Sequence, residues 1–286
     1  MPYKLLVSTE ILNENLENPD WVVLDCRFSL DDVESGRQSY QKAHIPGAIY
    51  AHLNEDLSGP ILPGRSGRHP LPKADAFAEK LSAWGIDAKV QVVVYDENNA
   101  AFTAYRLWWM ARWLGHDAVA ILDGGIQKWQ NQGRPVRSGS ESRAKRVFMP
   151  RLRPEMIASG EEVEKAYLDP AYRLLDGRGL AIFTAEAPPN YDPVNGHIPG
   201  AISAPAAENY TAEDQFLPAL ELKARFNRLL GGVPLQNVIS YCGSGVRAAQ
   251  NIFAMHYAGL EGEPRLYAGS WSEWITDPKH PIARGS

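Results

Sequence analysis

The chain has 286 residues, a net charge of −5 at neutral pH and 44% hydrophobic residues, so it can form one large domain or two ordinary ones with buried cores. The acidic balance argues against nucleic acid or an anionic membrane as a partner, and no apolar run is long enough to span a bilayer. The amino terminus lacks a sustained apolar stretch, so we expect no signal peptide.

The chain contains two cysteines, Cys26 and Cys242, and seven scattered histidines. Two cysteines are too few for a disulfide scaffold, and they favour a reducing, cytoplasmic location. The histidines form no spaced ligand set with the cysteines, so the sequence predicts no metal site and no cofactor. One cysteine can act as a nucleophile while the other is a small buried residue.

Taken in chain order, short apolar runs alternate with helical patterns. The runs VVLD, VVVY, LLD and VIS have the composition of buried parallel strands, and residues 101–115 and 246–259 have the pattern of helices. This alternation predicts an α/β fold in which a parallel sheet carries helices on both faces. Functional residues of such sheets lie beyond the carboxyl ends of the strands, where Cys242 is found.

Four motifs occur twice in the same order, at offsets of 145 to 153 positions. The pairs are VVLDCR (22–27) with RLLDGR (173–178), HIPGA (44–48) with HIPGA (197–201), VVVYD (92–96) with VISYC (238–242), and LDGGIQKW (122–129) with YAGSWSEW (267–274). Matches in one order at a nearly constant offset predict two copies of one domain rather than a short-period solenoid. The polar stretch RSGSESRAKR (137–146) between the copies has the composition of a linker.

The stretch that carries the chemistry follows the strand VIS. Its residues are, in order, Cys242, Gly243, Ser244, Gly245, Val246 and Arg247. The glycines permit a sharp turn, and the helix that follows points its free amides and its dipole back at the turn. Such a site favours the thiolate form of Cys242, Arg247 adds a permanent positive charge, and Ser244 can donate a hydrogen bond.

Two reaction classes use a cysteine in a loop of this kind. Cysteine phosphatases have five residues between the cysteine and the arginine, whereas only four separate Cys242 from Arg247. The shorter loop suits a single sulfur atom better than a tetrahedral phosphate, which favours sulfur transfer through a persulfide. A non-enzymatic persulfide carrier or binding module is the remaining alternative.

The motifs also resemble a known family. Residues 40–48 (YQKAHIPGA) and 267–274 (YAGSWSEW) are similar to the two signatures of the tandem-domain rhodanese-like sulfurtransferases, and the resemblance covers essentially the whole chain. It implies a non-catalytic rhodanese-like domain over residues 1–140 and a catalytic one over residues 152–286. Asp96 stands at the position in the first copy that matches Cys242.

Within that family, the loop Cys-Gly-Ser-Gly-Val resembles the 3-mercaptopyruvate type, although this type has threonine where the chain has Arg247. The resemblance implies that Arg178 holds the carboxylate of the substrate, and that Arg247 supplies the charge of a second substrate arginine absent from this chain. It further implies that a histidine and an aspartate of the first domain reach the loop serine. His69 matches the histidine, and the aspartate position falls at Asn54.

A nearby candidate for that aspartate is Asp56. Several other residues have structural interpretations, because they occur in both copies or lack a glycine-rich loop. These are His44 and His197 as turn-fixing residues, Asp25 and Asp176 as turn or cap residues, Arg27 as a member of an ion pair, Cys26 as an inert thiol, and Trp271 and Trp274 as core residues.

The sequence therefore predicts a cytoplasmic sulfurtransferase. Cys242 would take sulfur from a small anionic donor, 3-mercaptopyruvate in preference to thiosulfate, with Ser244 and His69 moving the proton. The amides of residues 243–247, including those of Gly243, Gly245 and Val246, would hold the persulfide. Arg178 and Arg247 would bind the donor. The acceptor would be a thiol such as thioredoxin, or cyanide.

Overall fold

The structure is a computed structural model, and it describes residues 1–285. The chain divides into two compact units. The first comprises residues 1–59 and 72–153, and the second comprises residues 60–71 and 154–286. The stretch 137–146 lies in the first unit and contributes no helix or strand. The short segment 60–71 thus lies in the first half of the sequence but belongs to the second unit.

The first unit contains a five-stranded parallel sheet in the order β1-β5-β4-β2-β3. Its strands are β1 (Leu6–Val7), β2 (Trp21–Asp25), β3 (Ile49–Tyr50), β4 (Gln91–Tyr95) and β5 (Val119–Leu122). Its helices are α1 (Thr9–Glu14), α2 (Ser35–Lys42), α3 (Ala74–Ala83), α4 (Thr103–Trp113) and α5 (Gly125–Asn131). The predicted strands VVLD and VVVY and the helix predicted over 101–115 are confirmed.

Apolar side chains explain why these elements form where they do. Every residue of β4 is buried, as a central strand of a parallel sheet covered on both sides requires. Nearly every residue of α4 is buried too, including Trp108, Trp109 and Trp113. Burying an aromatic side chain stabilises the folded state by roughly 1.5–3 kcal/mol, so this helix is a main contributor to the core of the first unit.

The second unit contains a four-stranded parallel sheet in the order β7-β6-β8-β9. Its strands are β6 (Arg173–Asp176), β7 (Ile202–Ser203), β8 (Val238–Tyr241) and β9 (Arg265–Leu266). Its helices are α6 (Gly160–Ala166), α7 (Leu180–Phe183), α8 (Ala219–Leu230), α9 (Ala248–Tyr257) and α10 (Ser270–Trp274). The predicted α/β fold with two parallel sheets flanked by helices is confirmed.

The core of the second unit positions the carboxyl end of β8. Strand β8 is buried along its length, and Trp271 and Trp274 of α10 are fully buried in the same apolar cluster. Their interpretation as core residues is confirmed. Helix α9 is buried over its first eight residues, so the loop between β8 and α9 is held at both ends by the core. Within residues 1–285, no helix is long and apolar enough to cross a membrane.

Candidate active site

Cys242 is the first residue after β8, and its side chain is buried, with 3% of the residue exposed. Its backbone is fixed by two hydrogen bonds from the segment that begins α10. The Cys242 amide donates to Ser270 Oγ over 3.0 Å, and its carbonyl accepts from the Trp271 amide over 3.0 Å. Ser270 has φ of 54°, an uncommon angle for a residue other than glycine, so the surrounding structure must hold its backbone in this conformation.

The loop after Cys242 carries backbone donors that the protein does not use. Within the part of the chain that the structure describes, the amides of Gly243, Ser244 and Val246 donate to no protein acceptor. Gly245 has φ of 75°, and a methyl group added there would collide with the carbonyl of Ala268. Glycine is therefore required at Gly245, and the turn leaves several N–H groups beside the cysteine.

A serine–histidine pair lies two residues beyond the cysteine. Ser244 Oγ lies 2.7 Å from His69 Nδ1, and both residues are buried. The structure thus brings together Ser244 and His69, as the sequence prediction required. His69 reaches the serine because segment 60–71 packs as part of the second unit, which its position in the sequence does not reveal.

Close backbone contacts hold segment 60–71 against the beginning of α10. The Arg68 amide donates to Ser272 Oγ over 3.1 Å, and the Gly67 amide donates to the carboxylate of Glu273. A methyl group at Gly67 would overlap the Gly269 carbonyl and lie 2.6 Å from Ser272 Oγ. Burial raises the pKa of Glu273, which also bonds the hydroxyl of Tyr267. The absence of a side chain at Gly67 therefore lets the following two residues approach the cysteine loop.

Arg178 is buried, and its guanidinium group binds the protein on several sides. Nε and Nη2 donate to the Asp176 carboxylate over 2.6 to 3.1 Å, and Nη2 also donates to the Gly196 carbonyl over 2.6 Å. Although burial opposes its charge, Asp176 holds the pKa of Arg178 above its usual value. Among residues 1–285, Nη1 has no hydrogen-bond partner, and the guanidinium group lies 4.6 Å from the ring centre of Trp271. Nη1 is therefore the atom of this group that can bind a ligand.

Arg247 lies at the end of the loop, just before α9, and it is partly exposed. Its carbonyl accepts from the Gln250 amide over 3.0 Å, which begins the first turn of the helix. A role for Arg247 in donor binding stays a prediction.

A comparison with known protein families agrees with the cysteine loop, the two parallel sheets of the chain and the repeated motifs. A model described as "Rhodanese-like domain" matches residues 8–132 and again residues 159–277. The chain belongs to this family. Each unit of the chain accordingly contains one rhodanese-like domain, and the domain of the second unit contains Cys242.

Relatives of this rhodanese-like protein are sulfurtransferases. It is 44% identical over 281 residues to a "Probable 3-mercaptopyruvate sulfurtransferase" of Pseudomonas aeruginosa, covering 98% of each chain. It is 35% identical over 301 residues to "Thiosulfate/3-mercaptopyruvate sulfurtransferase 1, mitochondrial" of Arabidopsis thaliana, covering 97% of this chain and 77% of the relative. A solved 3-mercaptopyruvate sulfurtransferase from Leishmania major has a TM-score of 0.83 at 28% identity, covering 95% of this chain and 74% of that one. The protein is a sulfurtransferase enzyme with tandem rhodanese-like domains.

The first rhodanese-like domain has a carboxylate where the second has the thiol. Asp96 follows β4 as Cys242 follows β8, and its carbonyl accepts from the Ile126 amide over 3.0 Å, just as that of Cys242 accepts from the Trp271 amide. The Asp96 carboxylate accepts from the amides of Glu97 and Thr103 over 2.9 and 3.0 Å. In this copy, the acceptor that the loop amides bind is a side chain of the protein itself.

The other ionic residues of the first domain have partners within it. Arg27 binds Asp25 with the same atoms and nearly the same distances as Arg178 binds Asp176, which confirms the interpretation of Arg27 as an ion-pair member. The Asp56 carboxylate binds Lys80 over 2.6 Å and accepts from the amide of His52 over 2.7 Å.

Asn54, at the position of the family's aspartate, is exposed, and its amide donates to His52 Nδ1 over 3.2 Å. A role for Asn54 or Asp56 at the active site stays a prediction.

In the part of the chain that the structure describes, one group of residues has atoms close enough to suggest a metal site. Glu34, His52 and Glu55 bring ligand atoms within 4.8 Å of one another. Arg37, however, binds both glutamates, and His52 uses Nδ1 to accept amides and Nε2 to contact the Val33 carbonyl. The possible ligand atoms of these residues already take part in ion pairs and hydrogen bonds within the protein. The residues therefore do not fit a resident metal.

Proposed function

We propose that this sulfurtransferase moves a sulfur atom from a small anionic donor through a persulfide on Cys242 to an acceptor. The donor is 3-mercaptopyruvate in preference to thiosulfate, and the acceptor is a thiol such as reduced thioredoxin, or cyanide. The supporting observation is the loop itself: a cysteine at a strand end, amides with no acceptor among the described residues, and a serine 2.7 Å from a histidine.

The first half-reaction forms one bond and breaks one. The Cys242 thiolate attacks the sulfur of 3-mercaptopyruvate, and the electron pair of the carbon–sulfur bond leaves with the carbon as the enolate of pyruvate. The enolate then takes a proton, for which Ser244 and His69 provide a buried route. The amides of Gly243, Ser244 and Val246 are donors that can stabilise the negative charge on the terminal sulfur.

The second half-reaction regenerates the thiolate. A thiolate acceptor, or cyanide, attacks the terminal sulfur of the persulfide, and the Cys242 sulfur leaves with the bonding pair. Because the donor leaves before the acceptor reacts, the kinetics should be of the ping-pong type. The two cysteines of the chain are both free thiols, which suits the reducing environment of the cytoplasm as the place of this reaction.

Thiosulfate is the alternative donor. The name of the Arabidopsis relative includes both donors, and Arg247 puts a cation where the 3-mercaptopyruvate type has threonine. The ratio of kcat/KM for 3-mercaptopyruvate to that for thiosulfate therefore tests the donor. Arg247→Thr should shift this ratio toward 3-mercaptopyruvate, and an unaltered ratio would refute Arg247 as a selector.

The central test is the pair of variants Cys242→Ser and Cys26→Ser. Mass spectrometry after donor exposure should show one added sulfur atom on Cys242 in the wild type and in Cys26→Ser, and none in Cys242→Ser. Cys26 is a matched control because it is fully buried, and burial raises the pKa of its thiol far above the usual value. Sulfur turnover by Cys242→Ser would refute the persulfide, and hydrolysis of p-nitrophenyl phosphate would favour a phosphatase instead.

A further inference from the structure

We propose that Glu273 is a positioning residue for sulfur transfer, and that its carboxylate holds segment 60–71 where His69 meets Ser244. The inference rests on the proposed function, because it explains how one member of the serine–histidine pair is kept in place. Glu273 is the one acidic residue of the repeated motif YAGSWSEW, whose two tryptophans are core residues.

The carboxylate of Glu273 lies where three stretches of the chain meet. It accepts hydrogen bonds from the amide of Gly67 in segment 60–71 and from the hydroxyl of Tyr267, three residues before α10. A methyl group added at Gly160, the first residue of α6, would lie only 3.1 Å from Glu273 Oε1. The carboxylate is therefore enclosed by segment 60–71, α6 and its own helix.

Glycines on two sides leave the room that this contact needs. A side chain at Gly269 would overlap the carboxylate of Glu273, and a side chain at Gly67 would overlap the carbonyl of Gly269. Glycine is the residue that permits such a close approach of one backbone to another. The local sequence of both stretches thus suits the hydrogen bond between the Gly67 amide and the carboxylate.

The first copy of the motif has a different group at this position. Lys128 of LDGGIQKW matches Glu273 of YAGSWSEW, and its ammonium group pairs with Asp123 over 2.6 Å. A lysine has donors only, so it cannot accept a hydrogen bond from a backbone amide. The acceptor therefore belongs to the copy of the motif that lies in the same unit as Cys242.

The space beside the carboxylate differs between the copies in the same way. Helices α1 and α6 both start after a serine cap, Ser8 or Ser159, and the residue after the cap is Thr9 in one and Gly160 in the other. A threonine side chain in α6 would fill the space beside Oε1 of Glu273. Both the acceptor and the room for it are thus features of the second unit.

The amide that Glu273 binds lies close to the histidine in the chain. Gly67 is two residues before His69, whose Nδ1 lies 2.7 Å from Ser244 Oγ. A displacement of about 1 Å near a reacting group can lower a rate about 100-fold. A tie at Gly67 is therefore close enough to control the alignment of the proton route.

Other contacts keep segment 60–71 attached when this carboxylate is removed. The Arg68 amide donates to Ser272 Oγ over 3.1 Å, and the Arg68 guanidinium group pairs with Asp192. Loss of the carboxylate should therefore shift the histidine without releasing the segment, so its effect can be measured in a folded protein.

The first test separates the two half-reactions. Glu273→Ala should lower kcat with 3-mercaptopyruvate by about 10- to 100-fold, because the route through His69 is misaligned. Attack of cyanide on a preformed Cys242 persulfide needs no proton, so its rate should stay within about threefold of the wild-type rate. Equal losses in both half-reactions would overturn the proposal, because they would indicate general damage to the cysteine loop.

The second test asks whether the effect passes through the histidine. In a His69→Asn background, adding Glu273→Ala should lower kcat by less than about threefold further. A full additional loss would overturn the proposal, because Glu273 would then act through α10 and not through His69. Lys128→Ala is the matched control at the same position of the first motif, and it should leave kcat within about twofold of the wild type.

The conservative variant tests the carboxylate as an acceptor. Glu273→Gln keeps an oxygen that can accept from the Gly67 amide, so its kcat should stay within about fivefold of the wild type. A loss as large as that of Glu273→Ala would overturn this role of the side chain.

Hydrogen–deuterium exchange keeps this proposal distinct from the sulfur-transfer mechanism. The measurement uses Cys242→Ser protein and requires no turnover. Adding Glu273→Ala should speed exchange in segment 60–71 by about tenfold or more, while the buried strand β8 keeps its rate. Unchanged exchange in segment 60–71 would overturn the tie even if Cys242 carries a persulfide, and faster exchange would support it even if Cys242 does not.

Discussion

His69 Nδ1 lies 2.7 Å from Ser244 Oγ, although 175 positions separate the two residues in the chain. Both side chains are buried, and Ser244 is two residues from Cys242. A buried hydroxyl bonded to an imidazole can pass a proton without a mobile water molecule, which is what release of pyruvate from its enolate needs.

We therefore expect Ser244→Ala and His69→Asn each to lower kcat with 3-mercaptopyruvate by about 100-fold. The kcat of the double variant should lie no more than about threefold below that of the less active single variant, because the two residues act as one unit. Steady-state kinetics on purified variants measures this. Ser203→Ala is the matched control, since Ser203 lies in the same unit and its buried Oγ has no hydrogen-bond partner among the described residues. Strictly multiplicative losses would contradict a shared role.

Gly67 is the residue that lets this pair form. A methyl group there would overlap the Gly269 carbonyl and crowd Ser272 Oγ, so Gly67→Ala must displace the segment that carries His69. A displacement of about 1 Å near a reacting group can reduce the rate about 100-fold, and we expect a loss of this order in kcat. Gly179→Ala is the control, because no atom lies within 4 Å of a methyl group added there. Wild-type kcat in Gly67→Ala would show that segment 60–71 does not position the site.

These residues mark the limit of what the sequence could predict. Local patterns sufficed for β8, for the turn that needs Gly245 and for the helix after it, because a strand end, glycines and a helix start occupy adjacent positions. The pairing of His69 with Ser244 could be expected only from a family resemblance. The ion pair between Arg68 and Asp192 left no local signal, because it depends on a segment of the first half of the chain that packs in the second unit.

Arg178 also shows what the sequence could not predict. The match of Arg178 with a substrate-binding arginine did not predict that its Nε and Nη2 donate to Asp176. The equivalent residues of the other copy, Arg27 and Asp25, form the same pair. Two residues apart at the end of a strand, an aspartate and an arginine can pair locally in either copy. The repeated motif therefore indicates a structural ion pair as clearly as a ligand site.

The two ion pairs predict matched effects on stability. Removing one partner of a buried pair leaves an uncompensated charge, so Arg27→Met and Arg178→Met should each lower the free energy of unfolding by about 3–5 kcal/mol. Denaturant unfolding followed by fluorescence measures both. If Arg178 also binds the donor through Nη1, only Arg178→Met should raise KM for 3-mercaptopyruvate in the folded protein. Equal KM values in the two variants would limit Arg178 to its structural pair.

Asp96 predicts a dependence of stability on pH that arises in the first domain. Burial raises the pKa of Asp96 to about 7, against the opposing hydrogen bonds from the amides of Glu97 and Thr103. The folded state therefore binds a proton more tightly than the unfolded state, whose aspartate has a pKa of about 3.9. The contribution of this group to stability is fully present below pH 4 and is lost as the pH rises toward 7.

The comparison that isolates this contribution is wild type against Asp96→Asn, which cannot titrate. Between about pH 4 and pH 7, the free energy of unfolding of the wild type should fall relative to that of the variant by up to about 1.4 kcal/mol per pH unit. Urea unfolding at several pH values measures the difference, whatever the variant's baseline stability. A difference that stays constant across this range would show that the Asp96 carboxylate is ionised throughout, and that the amides of its loop outweigh its burial.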